Sequence, residues 1–164
     1  ANIREAYQDG SNMRARKQML RAAYLAGNAF TRSYVGYVHA VAHSLGGKYN
    51  TPHGLANAVL LPFVLEAYGQ TAHRPLHALA VAVGISDWRE SDEEGAVKFI
   101  EAIRQMKKDL SIGDTICGIQ KKDIPGLARQ AEKEANPLYP VPDLMTAKQL
   151  EEFYYMVMEE ETHA

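Results

Sequence analysis

The segment that decides the fold spans residues 36–62 and has the sequence GYVHAVAHSLGGKYNTPHGLANAVLLP. It contains three of the chain's six histidines, His39, His43 and His53, set among small and apolar residues rather than among charges. His39 and His43 are four residues apart, so a helix places their imidazoles one turn apart on a single face. We therefore expect a helix here whose histidine face a ligand can approach closely.

The third histidine follows a predicted chain reversal. Gly46 and Gly47 are expected to end the first helix. Thr51 and Pro52 are expected to begin the next one, as its N-cap and its first helical residue. His53 then lies in the first turn of the second helix, where the partial positive charge of the helix N-terminus disfavours an imidazolium. Neutral imidazole is the form that binds metal ions, so this segment predicts a metal site.

The residues alone leave the roles of the three histidines open. One histidine on an apolar helix is usually a hydrogen-bonded core residue, but three buried rings need three partners, which a shared metal ion supplies. By spacing alone all three are candidate ligands. The H-x3-H spacing is also that of helix-borne zinc hydrolase pairs, which have glutamate directly after the first histidine. Here that position is Ala40, which argues against a metalloprotease.

The rest of the chain also has helical patterns. Apolar residues recur at helical spacing, and we find no strand pair, internal repeat or glycine-rich phosphate loop. Tyr24 and Phe30 belong to a helix that begins near residue 13, and its alanine and glycine content predicts that it is buried or nearly buried. Ser91 with Glu94 forms a capping-box pattern, and Thr146 is expected to cap the last helix. The predicted fold class is all-α, a helical bundle.

Composition excludes several classes of protein. The 164 residues suffice for one domain with a core, and 46% hydrophobic and 23% charged residues are close to globular averages. A net charge of −2 gives no electrostatic reason to expect nucleic acid as a partner. No apolar run reaches the roughly 18 residues needed to span a bilayer, so no membrane partner is expected. The lone cysteine, Cys117, fits a reducing compartment, and we expect a cytoplasmic protein.

A second histidine pair and the single cysteine are weaker candidates for a functional site. His73 and His77 are also four apart, on either side of Pro75, but no third ligand lies near them in the sequence. We expect a surface or helix-capping role for both. Cys117 has no histidine or cysteine at ligand spacing, so a structural or exposed thiol is expected rather than a nucleophile.

The same segment closely resembles the second signature of the iron-containing (group III) alcohol dehydrogenases. The matching residues are GYVHAVAHSLG at 36–46, YNTPHG at 49–54, Asn57, Ala58, Leu61 and Pro62. Residues 20–30 resemble the helix that leads into this signature, and the Asn136-Pro137 turn with the last helix resembles the carboxyl end. The resemblance covers nearly the whole chain and implies the helical C-terminal domain of a two-domain, metal-dependent alcohol dehydrogenase.

That resemblance implies a metal ion, Fe²⁺ or in some members Zn²⁺, held by one aspartate and three histidines. Two of these histidines match His39 and His53. The family's aspartate and first histidine lie on an earlier D-x3-H segment, and none precedes His39 in this sequence. His43 matches a residue that assists proton transfer or cofactor placement, which makes it the catalytic candidate. We expect residues 1–164 to form an N-terminally truncated metal-binding domain.

The implied cofactor is NAD or NADP, bound mainly by an N-terminal dinucleotide-binding domain that is absent here, so no residue of this chain is assigned to the cofactor. The implied partners are a small alcohol or aldehyde substrate and that N-terminal domain, with a homo-oligomer as the full-length enzyme. We expect the 164 residues alone to be inactive. Two alternatives remain: a metal-binding helical domain without redox chemistry that uses His39, His43 and His53, and a structural or interaction domain.

Overall fold

The computed structural model describes residues 2–159, which form eight α-helices and one 3₁₀ turn. In chain order these are α1 (Asn2–Gln8), α2 (Met13–Ser33), α3 (Tyr37–Tyr49), α4 (His53–Ala67), α5 (Gln70–Ala82), α6 (Asp92–Asp109), the 3₁₀ turn Lys121–Asp123, α7 (Ile124–Ala135) and α8 (Ala147–Val157). Extended pairing in this range is limited to one isolated bridge between Ile116 and Met158. The all-α prediction is confirmed.

The larger of two hydrophobic cores lies between α3, α4, α7 and α8. Helix α4 is apolar on nearly all sides, as its sequence HGLANAVLLPFVLEA requires of a helix with neighbours around it, and Leu60 is fully buried. Tyr37 of α3 and Tyr154 of α8 are the largest side chains of this core. A smaller core of Ala72, Leu76, Ala96 and Ile100 joins α5 to α6. Helix α3, which carries two of the candidate histidines, is therefore held firmly from three sides.

Helix α2 is not buried as the sequence predicts. Leu20 is 74% exposed and Tyr24 69%, and Ala15 is the one buried residue among those described in this helix. Helix α2 packs mainly against α1, so the apolar residues that the pattern predicted to be buried stay largely exposed. A hydrophobic pattern shows which side of a helix is apolar and gives no information about what lies opposite it.

The boundaries around the histidines also differ from the prediction. Helix α3 continues through Gly46 and Gly47 and ends at Asn50, whose backbone is left-handed (φ 55°) and whose N–H bonds to the Gly46 carbonyl. Asparagine tolerates this conformation better than most residues, so it replaces glycine as the terminator. Helix α4 begins at His53, one residue later than predicted, with Pro52 as its N-cap and no side-chain cap.

Other local predictions are mostly confirmed. Ser91 with Glu94 and Thr146 with Gln149 both form reciprocal capping boxes at the starts of α6 and α8. Helix α5 begins at Gln70, so Pro75 lies inside it. None of the helices in residues 2–159 combines the length and the apolar character that a bilayer crossing requires.

Candidate metal centre

The structure brings the three predicted histidines together. His39 and His43 lie on the same face of α3, with ring centroids 5.9 Å apart and an interplanar angle of 73°. The short connection between α3 and α4 reverses the chain and places His53 next to both. Its ring centroid is 5.4 Å from that of His39 and 5.3 Å from that of His43. Two packed helices thus form a cluster of three imidazoles.

The electrostatics of this cluster favour a neutral His39 ring. Burial lowers the pKa of His39, and the neighbouring His53 and His43 lower it further, against a smaller opposing effect of the Glu134 carboxylate. An imidazole with a lowered pKa keeps a lone pair available at neutral pH. The chemistry of these donors therefore suits Fe²⁺ or Zn²⁺, both of which accept imidazole nitrogen.

His53 is held by its own helix. Asn57, one turn further along α4, donates its Nδ2 group to His53 Nε2 at 3.0 Å and to the His53 carbonyl at 2.9 Å. Asn57 Oδ1 is buried and has no hydrogen-bond partner among the described residues. An ion bound through His53 Nε2 must displace the first of these bonds, whereas the bond to the carbonyl can remain.

His43 has a partner that no sequence pattern indicates. Its Nδ1 lies 2.7 Å from Glu134 Oε1 on α7, a residue 91 positions away. The Tyr139 hydroxyl donates to the same Glu134 oxygen at 2.8 Å. A glutamate on an amphipathic helix is ordinarily a solvent-facing residue, so nothing in the local pattern distinguishes Glu134.

The three imidazoles do not make a complete metal site by themselves. Among residues 2–159, no three histidine, cysteine, aspartate or glutamate side chains are arranged to hold one ion. Catalytic zinc sites have three protein ligands and an open position, and a structural site has four. The cluster thus fits a metal ion in donor chemistry but supplies only part of a ligand set.

An apolar groove adjoins the cluster. A cavity of about 430 Å³ lies beside His39 and Asn57. Its walls come from the end of α2, the start of α3, the middle and C-cap of α4 and the loop after α7, and they include Phe30, Val38, Leu61 and Val141. A small organic molecule in this groove can reach the His39 ring without crossing the protein.

The other sequence candidates lie elsewhere. His77 is buried at 2% exposure rather than on the surface, because its ring packs against Gly95 of α6, where a glycine leaves space for it. Both of its nitrogens have acceptors, so it is a satisfied core residue. Cys117 is exposed, and its hydrogen bond to Glu159 raises the pKa of the thiol, opposite to the change a nucleophile needs.

The chain matches one protein family and several curated proteins. Residues 1–158 match the model of the Fe-containing alcohol dehydrogenase family, C-terminal region. The chain is 41% identical over 138 residues to 1,3-propanediol dehydrogenase of Klebsiella pneumoniae, covering 82% of this chain and 35% of that protein. It is 36% identical over 119 residues to lactaldehyde reductase of Escherichia coli strain K12, covering 71% and 31%.

Solved structures give the same result. A crystal structure of a 1,3-propanediol oxidoreductase superposes with a TM-score of 0.87 at 34% identity, covering 96% of this chain and 41% of that one. An alcohol dehydrogenase from Oenococcus oeni gives 0.86 at 33% identity, covering 95% and 41%. The all-α fold is that of the helical C-terminal domain of this family. The chain belongs to the iron-containing alcohol dehydrogenase family, and it spans about a third of the length of these curated relatives.

Proposed function

We propose that this chain is the helical, metal-binding part of an NAD(P)-dependent alcohol dehydrogenase or aldehyde reductase. The observation that supports this most strongly is the cluster of imidazoles from α3 and α4, with centroids 5.3 to 5.9 Å apart. Family membership and the names of the relatives, which act on a diol and an aldehyde, agree with it. The substrate is a small alcohol or aldehyde in the groove beside His39.

In this proposal His39 and His53 are metal ligands, and the metal is Fe²⁺ or Zn²⁺. The remaining ligands and the NAD(P) site belong to an N-terminal domain that is this chain's partner, and the full-length enzyme is a homo-oligomer. Two observations support the division. Residues 2–159 do not complete a metal site, and they form no sheet of the kind that dinucleotide-binding domains use.

In this proposal the chain's own residues bind the substrate and accept the proton that the alcohol loses. When bound, the metal ion supplies a Lewis acid for the alcohol oxygen, and NAD(P) supplies an acceptor for the hydride. Oxidation of an alcohol releases a hydride from carbon and a proton from oxygen. His43 is the catalytic residue of this chain because it lies against both proposed ligands and can accept that proton. The apolar groove walls offer contacts to the carbon chain of the substrate.

Metal titration tests the proposal. Binding of Fe²⁺ and Zn²⁺ to the chain is followed by calorimetry and by the shift in Tm, first for the native sequence. His39→Ala and His53→Ala are expected to abolish binding, whereas His43→Ala is expected to retain it. His73→Ala on α5 is the matched control, a histidine outside the cluster. Metal binding that survives both ligand substitutions contradicts the proposal.

The same titration decides between this proposal and its two alternatives. A metal-binding domain without redox chemistry that uses all three histidines predicts that His43→Ala costs as much affinity as His39→Ala. The nearly equal spacing of the three rings is the observation that favours it. A purely structural domain predicts no effect of either metal on Tm. For the 164 residues alone we expect no NAD-dependent oxidation of ethanol or propanediol.

A further inference from the structure

Glu134 makes a contact that neither the signature nor the metal proposal requires. Its carboxylate is 2.7 Å from His43 Nδ1, across the interface between α3 and α7. The two side chains are 42% and 29% exposed. An ion pair this accessible contributes little to stability, since solvent and salt screen it. A stabilising role is thus a weak explanation for a contact directed at the one histidine assigned to proton transfer.

The position of Glu134 is well determined by its neighbours. Tyr139 donates its hydroxyl to Oε1 of Glu134 at 2.8 Å, and its backbone N–H bonds to the carbonyl of Ala135, which is fully buried. Burial, followed by the hydrogen bond to Glu134, raises the pKa of Tyr139 to about 12. The phenol therefore stays protonated and keeps donating at neutral pH. The Glu134 carboxylate is thus held by Tyr139 as well as by His43.

This contact determines which nitrogen of His43 carries the proton. A carboxylate only accepts hydrogen bonds, so a neutral His43 ring facing Glu134 must have its hydrogen on Nδ1. Nε2 is then the nitrogen with the free lone pair. The near-parallel stacking of His43 on His53, with an interplanar angle of 20°, restricts the ring plane as well. Tautomer and orientation are both constrained.

We propose that Glu134 is the positioning residue of His43: it holds the ring as the Nδ1–H tautomer and leaves Nε2 as the acceptor for the alcohol proton. The catalytic role of the contact rests on the proposed function, whereas the tautomer follows from the contact alone. In alcohol oxidation the O–H bond breaks, the proton moves to Nε2, and the hydride leaves separately from carbon. Without Glu134 the ring is free to adopt the other tautomer, which has no acceptor at Nε2.

The tautomer is measured by ¹⁵N nuclear magnetic resonance on the 164-residue chain, with no metal or cofactor and at a pH where His43 is neutral. Two-bond couplings distinguish the protonated ring nitrogen from the bare one. We expect Nδ1–H in the native sequence and a shift to predominantly Nε2–H in Glu134→Ala. Glu134→Gln is expected to restore Nδ1–H, because Tyr139 keeps the amide oxygen facing His43. Glu152→Ala, an exposed glutamate on α8, is the matched control and should change nothing.

The outcome is decisive whichever variants fold. A native His43 found as Nε2–H overturns the inference, and so does a Glu134→Ala chain that keeps Nδ1–H. Circular dichroism of each variant shows whether its fold is intact. Metal titration tests the proposed function separately: metal binding that survives His39→Ala and His53→Ala, in a chain that retains the Nδ1–H tautomer, contradicts only that function.

Discussion

His77 Nδ1 lies 2.9 Å from the Asp92 carboxylate, a contact that joins α5 to the first turn of α6. The other ring nitrogen, Nε2, lies 3.0 Å from the Asp87 carbonyl. Both neighbours are acceptors, and an imidazole satisfies two acceptors only when both of its nitrogens carry hydrogen. The hydrogen bond to Asp92 accordingly raises the pKa of His77 above its ordinary value of 6.5, helped by the Asp87 carbonyl and the nearby Glu90 carboxylate.

This arrangement makes part of the stability pH-dependent. The pKa of His77 is higher in the folded than in the unfolded chain. The stability that protonated His77 contributes to the fold is therefore fully present below pH 6.5 and is lost as pH rises through the raised pKa. We expect the Tm difference between the native chain and Asp92→Asn to shrink from pH 5.5 to pH 9, a pH range set by the ordinary histidine pKa of about 6.5. Differential scanning calorimetry of both chains measures it, and parallel Tm curves contradict the assignment.

Gly95 is where α6 makes room for the His77 ring. A Cβ at this position would overlap Cδ2 and Cγ of His77, and the ring cannot retreat without losing its two hydrogen bonds. Gly95→Ala should therefore destabilise the chain by about 1–3 kcal/mol, although alanine favours a helix by about 1 kcal/mol. Gly126→Ala on α7, where a Cβ contacts nothing within 4 Å, is the control and should be neutral or slightly stabilising. Urea unfolding distinguishes them, and equal effects would disprove the steric argument.

Replacing either of two buried tyrosines by phenylalanine should destabilise the chain by different amounts. The Tyr37 hydroxyl donates to Asn136 Oδ1 and accepts from the Met145 N–H, so Tyr37→Phe leaves two groups unpaired. The Tyr154 hydroxyl bonds to Ser44, which keeps a second partner in the Val41 carbonyl. We expect Tyr37→Phe to cost about 2–4 kcal/mol and Tyr154→Phe about 0.5–1.5 kcal/mol. Comparable losses in urea unfolding would show that unpaired groups do not govern the cost.

Local features of the fold could be predicted from the sequence, because helix periodicity and capping are determined by neighbouring residues. The capping boxes at Ser91 and Thr146 are examples. The proximity of His39 to His43 follows from helix geometry alone. Their proximity to His53 follows once a reversal is placed between the two helices, even though Asn50 ends the first helix and not Gly46.

The features that could not be predicted depend on residues far apart in the chain. The exposure of α2 depends on which helices lie opposite it, and the burial of His77 depends on a glycine 18 positions later. The contact of Glu134 with His43 is a packing result of α3 against α7. No spacing rule links such positions, because each is set by how the helices pack.

Asn57 should oppose metal binding. Its Nδ2 group bonds to His53 Nε2, the nitrogen proposed to hold the ion, so binding costs that hydrogen bond. A hydrogen bond of this kind contributes about 0.5–1.5 kcal/mol, so Asn57→Ala should bind Zn²⁺ roughly 2- to 10-fold more tightly. Asn57→Asp is the second variant to measure. A carboxylate cannot donate to Nε2 and adds an oxygen ligand, so this variant should bind Zn²⁺ more tightly still. Calorimetric titration of the three chains gives the comparison. Weaker binding by Asn57→Ala would mean that Asn57 holds His53 in its binding position rather than competing for its nitrogen.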